Sequence, residues 1–468
     1  MAIRQVFNKK LFLDFRFWIF LFLIIRLIGI TNPPIETSHG WRQAFTCMVA
    51  RNFLEEDPNI FYPRTDLAGS NTDIIASEFP LFNYIIFLAA KVFGYQHWYG
   101  RLINLIFSSA GIYAFYLLTK RFFGERVALF SGMIFLTSAW FSFSRKIMPD
   151  TFSVSLVMIG LYFLSRYIDR DKIINIFLFF LFSVLGGLSK IPSMIIFSLA
   201  IIFVMDTKIS RKKRILILAI ILTVTFLVSL WYFVWEPYLL RTYKNQLYFP
   251  RGLRQGLKEL YEYGYWTWDK FIFVALHSFV ALAFFLTGCY QAIKKRNWLI
   301  MLIFCITFPI QFFFMIKAGY VFSTHDYYIL PFVPVMALIA GFGLASVKQI
   351  NIAYVIILII MIEGIANQQH DIRIKVSNLY LLELEQISDK FCSRNDKIAI
   401  TGGINPQGLY FAHRKGWGID NSNLQNPEYI MNLKLEGCKY LFVNKHHFNQ
   451  ILNYELIYKN EDFVIYRL

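Results

Sequence analysis

The sequence predicts an α-helical polytopic membrane protein, and its composition, the lengths of its apolar runs and the placement of its charges each indicate this fold class. Of the 468 residues, 57% are hydrophobic and only 16% are charged, which is too apolar for a soluble globular chain of this length. The apolar runs are close to the ~20 residues that a helix needs to cross the hydrocarbon core. Because lipid cannot satisfy backbone N–H and C=O groups, such spans are helical.

Eleven apolar runs are predicted to span the membrane. They lie at 17–30, 101–119, 127–144, 151–168, 173–188, 192–206, 215–235, 271–287, 298–316, 327–346 and 351–366. A further run, 79–93, is apolar but short and begins beside Pro80. Its length alone does not decide whether it crosses the membrane.

Positive charge decides the placement of the 79–93 run. If this run lies in the interface, all the basic clusters fall on one side of the membrane, as the positive-inside rule requires. These clusters lie at 4–16, 120–126, 166–172, 208–214, 294–296 and Lys348. We therefore expect a cytoplasmic amino terminus, an outer carboxyl terminus, and an interfacial or re-entrant helix at 79–93 on the outer face. Basic residues in short loops, rather than in one stripe, argue against nucleic-acid binding.

Two domains are predicted from this topology. Residues 1–374 form a transmembrane domain whose first outer loop is 31–100, and residues 375–468 form a small α/β domain outside the membrane. Within the second domain, Leu379–Phe391 has helical periodicity. Short strands are expected at 397–401, 440–443 and 463–466.

Acidic residues gather in the predicted outer loops. These residues are Glu36, Asp66, Asp73, Glu78, Asp150 and Asp326. A carboxylate is a usual base for activating a hydroxyl and a usual ligand for Mg²⁺ or Mn²⁺. Any one of them could instead be a solvated loop acid, and Asp150 could be a helix N-cap. Glu78 and Asp150 adjoin the starts of apolar helices, which favours a functional role for them.

Basic and aromatic residues on the outer face point to an anionic or carbohydrate ligand. Arg42, Arg145 and Lys190 are placed there against the topological bias, and such residues suit a phosphate, although ordinary lipid headgroups would also attract them. The loop 236–270 is rich in Tyr and Trp, a pattern typical of a sugar site or of an interfacial aromatic belt. His325 and its neighbours could bind a metal or an acceptor, or could cap a helix.

Several motifs together resemble one family. They are His39-Gly40-Trp41-Arg42-Gln43, Ala50-Arg51-Asn52-Phe53, Ser77-Glu78-Phe79-Pro80-Leu81-Phe82, Arg145 to Asp150, His325-Asp326-Tyr327-Tyr328 and Tyr410-Phe411-Ala412-His413. In this order the sequence is similar to bacterial membrane glycosyltransferases of the GT-C superfamily, relatives of the protein O-mannosyltransferases and of the aminoarabinose transferase that modifies lipid A. The resemblance covers about residues 1–345 and the Tyr410 motif.

The resemblance implies a transferase that uses a polyprenyl-phosphate sugar, with Glu36, Glu78 and Asp150 as catalytic acids. Many relatives carry an acid at the position of Phe45, so Glu36 is the best remaining base. Arg42, Arg145 and Lys190 are expected to bind the donor phosphate. Substrate binding is assigned to His39, Trp41, Gln43, His325, Asp326 and Tyr328. The resemblance is also compatible with a divalent metal, Mg, Mn or Zn, for which Glu78 and Asp150 would be the ligands.

The predicted function is therefore transfer of a sugar, with inversion, to a glycan, glycolipid or protein hydroxyl at the outer face of a bacterial inner membrane. Two alternatives stay open. One is a transporter or flippase for a lipid-linked sugar, which would favour ionisable groups at mid-membrane. The other is a degenerate relative that acts as a scaffold, for which Phe45 is the hint. The sequence does not identify the sugar, the acceptor or the oligomeric state.

Overall fold

The computed structural model describes residues 12–247, 250–446 and 448–468. The chain divides into two compact units, each built from separate stretches. The helical unit comprises Met1–Ile30, Arg101–Val234 and Phe249–Ile372, and the loop-and-sheet unit comprises Thr31–Gly100, Trp235–Tyr248 and Arg373–Leu468. Some predicted features lie outside the described residues, namely Arg4, Lys9 and Lys10 of the amino-terminal basic cluster and Tyr248 and Phe249 of the aromatic loop.

The helical unit consists almost entirely of helices. Its α-helices are Phe15–Arg26, Tyr99–Phe123, Glu125–Thr137, Trp140–Phe143, Pro149–Arg170, Ile173–Ser189, Met194–Phe197, Ile201–Met205, Arg211–Leu230, Leu253–Glu262, Gly264–Asp269, Phe279–Lys294, Trp298–Ala318, Tyr320–Thr324, Val333–Ala345 and Ile350–Gln368. Shorter 3-10 segments occur at Ile191–Ser193, Ser198–Ala200 and Asp326–Phe332, and π-helical turns at Trp231–Trp235 and Lys270–Val274. The predicted helical fold class is confirmed.

Every predicted span contains helix, but the helices differ in length. Among the described residues, six helices are long and apolar enough to cross a membrane, and a pair bent by 89°, Gly264–Val274 with Phe279–Lys294, would make seven. The predicted span 192–206 alternates between α and 3-10 turns, an irregularity that run length alone does not reveal. The count of eleven spans therefore stays a prediction.

Small residues allow close helix packing in the helical unit. A Cβ atom on Gly288 would lie 2.0 Å from the carbonyl oxygen of Ile339, and a Cβ atom on Gly341 would lie 2.4 Å from the backbone nitrogen of Ser131. Such close backbone approach through small residues is how helices associate in lipid, where no hydrophobic force drives them together. These contacts join Glu125–Thr137 and Phe279–Lys294 to Val333–Ala345.

The loop-and-sheet unit contains a five-stranded sheet of order β2-β1-β3-β5-β4. The strands are β1 Lys397–Thr401, β2 Gly416–Ile419, β3 Cys438–Asn444, β4 Glu455–Lys459 and β5 Phe463–Arg467. β1 pairs in parallel with β2 and β3, whereas β5 is antiparallel to β3 and β4. The three predicted strands are confirmed. The sequence analysis missed β2 and β4, because one is four residues with two glycines and the other is a mixed-charge edge strand.

Helices complete the unit. The α-helices are Gly40–Glu55, Leu81–Phe93, Glu236–Tyr243, Leu384–Phe391, Gln407–Ala412 and Pro427–Leu435, and 3-10 segments lie at Val376–Glu383 and Asn421–Gln425. The predicted helix 379–391 is thus divided between a 3-10 segment and an α-helix. Leu81–Phe93 has 13 residues, or about 20 Å of helix, which is too short to cross a ~30 Å core.

The first predicted outer loop and the carboxyl-terminal segment are joined through their backbones. Gly416 donates its N–H to the Asp66 carbonyl at 3.0 Å, and its own carbonyl accepts from Gly69 at 2.8 Å. Gly416 has φ 146°, and a Cβ atom there would lie 1.9 Å from the Ile398 carbonyl oxygen, so this crossing requires glycine. Residues 31–100 therefore belong to the same unit as residues 375–468, while the predicted domain boundary at 374 stays a prediction.

Candidate active site

The motif that contains His39 and Gly40 forms the tight entrance of the Gly40–Glu55 helix. His39 adopts a left-handed conformation with φ 58°, and its carbonyl accepts from the backbone N–H groups of Arg42 and Gln43, both at 3.1 Å. A Cβ atom on Gly40 would lie 2.9 Å from the Gln407 side-chain nitrogen and 3.2 Å from the Pro34 carbonyl oxygen. Glycine is favoured here because a side chain would crowd the Gln407 amide and the Pro34 carbonyl.

Glu36 is a buried carboxylate at the start of this region. Its side chain is 2% exposed, and its Oε2 accepts a hydrogen bond of 3.1 Å from the Gln43 side-chain amide. Its backbone forms a bridge with Ile374, flanked by a hydrogen bond from the Lys375 N–H to the Ile35 carbonyl at 2.9 Å. The predicted base and Gln43, a predicted substrate contact, are thus in direct contact.

Arg42 and Glu78 form a buried salt bridge within the loop-and-sheet unit. Both side chains are nearly inaccessible to solvent, and the Arg42 guanidinium lies 5.4 Å from the centre of the Phe45 ring. Among the described residues, Glu78 Oε2 is buried and has no hydrogen-bond partner. A predicted phosphate ligand and a predicted catalytic acid are therefore partners of each other.

Phe45, at the position where the family resemblance predicts an acid, belongs to a small hydrophobic cluster. Its buried partners there are Val49, Phe53, Ile75 and Phe87. A carboxylate at this position would be taken out of water beside apolar side chains, which is strongly unfavourable. The local packing thus accommodates an aromatic residue at this position and disfavours an acid.

Asp150 and Lys190 form a second buried pair, in the helical unit. The Lys190 ammonium lies 3.2 Å from Asp150 Oδ1 and 5.3 Å from the centre of the Tyr327 ring. Within the described part of the chain, Asp150 Oδ2 is buried without a hydrogen-bond partner. The suggestion that Asp150 is an N-cap is wrong, because Met148 is the cap, Pro149 opens the helix and Asp150 lies in its first turn. A carboxylate there interacts favourably with the helix dipole.

Arg145 contacts backbone carbonyls at the end of the first helix. Its guanidinium donates to the carbonyls of Ile28 and Gly29, the latter at 2.8 Å. The neighbouring Lys146 donates to the Asp371 carbonyl at 3.1 Å. Arg145 is 1% exposed, so part of its role is to satisfy buried carbonyl groups. Its predicted phosphate contact stays a prediction.

His325, Asp326 and Tyr328 lie at a junction of short helices. His325 ends the Tyr320–Thr324 helix, and its Nδ1 lies 3.2 Å from the Val321 carbonyl oxygen, which matches the capping alternative. Asp326 accepts from the Lys270 ammonium at 2.5 Å. The rings of Tyr327 and Tyr328 stack with centroids 4.7 Å apart. These residues form one cluster, and their substrate role stays a prediction.

The polar side chains that the sequence analysis missed lie around Glu36. A cavity of about 280 Å³ is lined by Glu36, His39 and Trp41 from the first outer loop. Its carboxyl-terminal walls include Lys375, Asn378, Tyr380, Thr401, Asn405, Gln407 and Asn444. No short motif contains these residues, because the fold brings them together from separate segments.

Two of the recognised motifs contact each other directly. Arg51 Nη2 lies 2.7 Å from Asp66 Oδ2 and its Nη1 donates to the Tyr410 carbonyl at 3.0 Å. Its guanidinium also lies 4.7 Å from the centre of the Tyr410 ring. Burial opposes the charge, but Asp66 together with Tyr410, Tyr95 and Glu55 outweighs burial, so the pKa of Arg51 is raised. The Ala50 and Tyr410 motifs therefore hold the first loop against the carboxyl-terminal segment.

Comparisons with known proteins identify this architecture. Residues 77–233 match the family model described as dolichyl-phosphate-mannose-protein mannosyltransferase. The structure of ArnT from Cupriavidus metallidurans bound to undecaprenyl phosphate superposes with a TM-score of 0.59 at 12% identity, covering 96% of this chain and 98% of that one. This chain has the GT-C glycosyltransferase fold. The predicted GT-C resemblance is confirmed, and with it a multi-pass membrane protein.

A second solved structure is also similar in fold. The Archaeoglobus fulgidus oligosaccharyltransferase in the apo form gives a TM-score of 0.57 at 11% identity, covering 92% of this chain and 70% of that one. Sequence comparison with curated proteins gives no significant match. At these identities the structural likeness shows the GT-C fold alone.

One of the similar structures contains a metal, because the Archaeoglobus fulgidus oligosaccharyltransferase has also been solved in complex with Zn and sulfate. Within residues 12–247, 250–446 and 448–468, no group of three or more His, Cys, Asp or Glu side chains is placed to hold a metal ion. The predicted ligands Glu78 and Asp150 are each paired with a cation instead. These two donor sets do not fit a divalent metal, which takes several oxygen ligands.

Proposed function

We propose that this protein is a glycosyltransferase that moves a sugar from a polyprenyl-phosphate donor to a hydroxyl group, with inversion, at the outer face of a bacterial inner membrane. The observation that carries the proposal is Glu36, a buried carboxylate held by Gln43 at the wall of a polar cavity. The match to a mannosyltransferase family model supports the reaction class. The undecaprenyl phosphate bound by the ArnT neighbour supports the donor class.

In this reaction Glu36 acts as the general base. It takes the proton of the acceptor hydroxyl while the hydroxyl oxygen forms a bond to the anomeric carbon. The bond from that carbon to the phosphate oxygen breaks, and its electron pair leaves with polyprenyl phosphate. Attack opposite the leaving group inverts the anomeric centre.

The departing phosphate needs positive charge, and the protein supplies it from buried cationic side chains. We assign this role to Arg42 in the loop-and-sheet unit and to Lys190 and Arg145 in the helical unit. Glu78 fixes the Arg42 guanidinium and Asp150 fixes the Lys190 ammonium. The two predicted catalytic acids thus act by positioning cations.

The acceptor is a glycan, glycolipid or protein hydroxyl, and the substrate contacts come from residues beside the base and in the Tyr327 cluster. We assign them to His39, Trp41 and Gln43 around Glu36 and to His325, Asp326 and Tyr328 in the helical unit. His39 and Trp41 line the Glu36 cavity, which supports their assignment.

Purified full-length protein in lipid nanodiscs tests the proposal with a panel of radiolabelled undecaprenyl-phosphate hexoses and pentoses and a bacterial envelope glycolipid extract. We expect a labelled product, stoichiometric release of undecaprenyl phosphate, and inverted anomeric configuration by NMR. Movement of the labelled lipid across liposomes, without any product, would instead favour the flippase alternative.

A further inference from the structure

The polar cavity beside Glu36 is built by segments that are far apart in the chain. The first outer loop supplies Glu36 and Trp41, the 3-10 segment after residue 375 supplies Tyr380, and the sheet supplies Thr401 and Asn444. At about 280 Å³, the cavity is near the lower end of the ~300–1,000 Å³ of small-molecule sites. It has room for one sugar-sized group.

The polar groups of this cavity are held in fixed orientations. Gln407, 4% exposed, donates its amide to the Pro34 carbonyl at 3.0 Å and accepts from Asn405 at 3.1 Å. The Tyr380 hydroxyl accepts from the Asn444 amide at 2.8 Å. Since a hydroxyl that accepts can also donate, Tyr380 retains its proton for a ligand. Burial raises the pKa of Tyr380, which further favours the protonated hydroxyl.

The charge of the walls selects a class of ligand. The cavity has one carboxylate, Glu36, and one ammonium, Lys375, and its remaining polar groups are mostly amides and hydroxyls. A phosphate would be repelled by the buried carboxylate, and an alkyl chain would leave the polar groups without partners. Hydroxyl groups can both donate to Glu36 and accept from Lys375, and the faces of Trp41 and Phe463 can contact sugar C–H groups.

We propose that this cavity binds a single hydroxyl-rich sugar unit, and that the carboxyl-terminal residues Lys375, Asn378 and Tyr380 determine which sugar enters. This inference deepens the proposed function and rests on it, because Glu36 is both the base and part of the wall. The sugar unit belongs either to the acceptor or to the donor, which share this chemistry. The carboxyl-terminal segment is thereby a specificity element.

Direct binding tests the inference without transfer. Saturation-transfer NMR of the full-length protein in nanodiscs is measured with glucose, galactose, mannose, N-acetylglucosamine and arabinose as free probes. We expect binding of at least one sugar, a loss of roughly two- to tenfold in affinity in Tyr380→Phe from one missing hydrogen bond, and no binding in Asn378→Trp, which fills the cavity. Tyr454→Phe and Lys390→Met, in the same unit but outside the cavity, should bind like wild type.

Kinetics then distinguish the two sources of the sugar. A raised KM for the acceptor in Tyr380→Phe assigns the cavity to the acceptor, and a raised KM for the donor assigns it to the donor. The inference is overturned if no probe binds, or if Asn378→Trp and Tyr380→Phe bind every probe as wild type does. Sugar binding that the cavity variants abolish, in a protein without transfer activity, would contradict the proposed function and leave the cavity assignment standing.

Discussion

Each unit contains one buried ion pair, Arg42–Glu78 in the loop-and-sheet unit and Lys190–Asp150 in the helical unit, and the two carboxylates are stabilised differently. Each pair is shielded from solvent, and an aromatic ring lies beside each cation. The acid that holds Arg42 lies in an irregular loop, whereas the acid that holds Lys190 lies in the first turn of a helix. The helix dipole supports Asp150, so Glu78 depends more on its cation than Asp150 does.

Replacing the cation of each pair should give the largest loss of stability, and the loss should differ between the two pairs. We expect Arg42→Met to lower the free energy of unfolding by roughly 3–5 kcal/mol, because it leaves a buried carboxylate uncompensated. Lys190→Met should cost about 1 kcal/mol less, because the helix N-terminus still supports Asp150. Reversible unfolding in detergent measures both values.

A double variant provides the control for this comparison. Arg42→Met combined with Glu78→Gln removes both charges and should recover most of the lost stability. If the double variant is as unstable as Arg42→Met alone, packing of the arginine stem, rather than charge, explains the effect.

Exchanging the cation types tests whether the arginine fork matters. Arg42→Lys keeps the charge but loses the planar guanidinium that contacts both Glu78 and the Phe45 ring. We expect kcat/KM for sugar transfer to fall about tenfold in Arg42→Lys, equivalent to ~1.4 kcal/mol. Lys190→Arg should lower kcat/KM less, because arginine keeps the charge of lysine and adds hydrogen-bond donors. Equal losses in the two variants, measured as kcat/KM, would show that only charge counts.

Changing the aromatic rings should have a smaller effect. Phe45→Leu keeps the apolar packing of its cluster but removes the ring beside Arg42, which should cost about 1 kcal/mol of stability. Phe45→Asp should be far less stable and gain no activity, because the acid enters an apolar cluster. A more active Phe45→Asp protein would mean that this chain has lost a catalytic acid.

A half-exposed cluster around His413 in the loop-and-sheet unit should make the smallest contribution to stability. This contribution should be detectable through its dependence on pH. His413 lies 2.8 Å from both Glu55 and Glu385. Burial disfavours its charge, but the hydrogen bonds to these carboxylates outweigh burial and raise the pKa of His413 above 6.5. The hydrogen bond to His413 is the main cause that lowers the pKa of Glu385 to about 2.

The sign of the pH dependence follows from these shifts. The contribution of His413 is complete below 6.5 and is lost as pH rises through its raised pKa, while that of Glu385 is complete above 4.5 and is lost as pH falls towards about 2. The stability difference between wild type and His413→Gln should therefore shrink as pH rises from about 6 to about 9. Glu385→Gln should weaken this dependence, and a constant difference across that range would contradict it.

The sequence predicts the helical fold class and three of the strands, because hydrophobic runs record them locally. It also selects Glu36 and Gln43 as site residues, but their contact is seen only in the structure. It could not predict why Gly40 is glycine, since the Gln407 amide that crowds it comes from the other end of the chain. The suggestion that Asp150 is a helix N-cap was wrong, because Pro149 occupies the first helical position and Met148 is the cap. The residues that line the cavity could not be predicted either, because they come from separate segments that only the folded chain brings together.

The most direct test of the central claim is the rate of sugar transfer in Glu36→Gln, measured in nanodiscs beside Asp57→Asn, a partly exposed acid of the same loop. Glutamine can keep the hydrogen bond to Gln43 but cannot take a proton, so we predict that kcat falls by ~10²–10⁴-fold while thermal stability and sugar binding stay close to wild type. Asp57→Asn should transfer at the wild-type rate. Undiminished transfer by Glu36→Gln would contradict the assignment of Glu36 as the base.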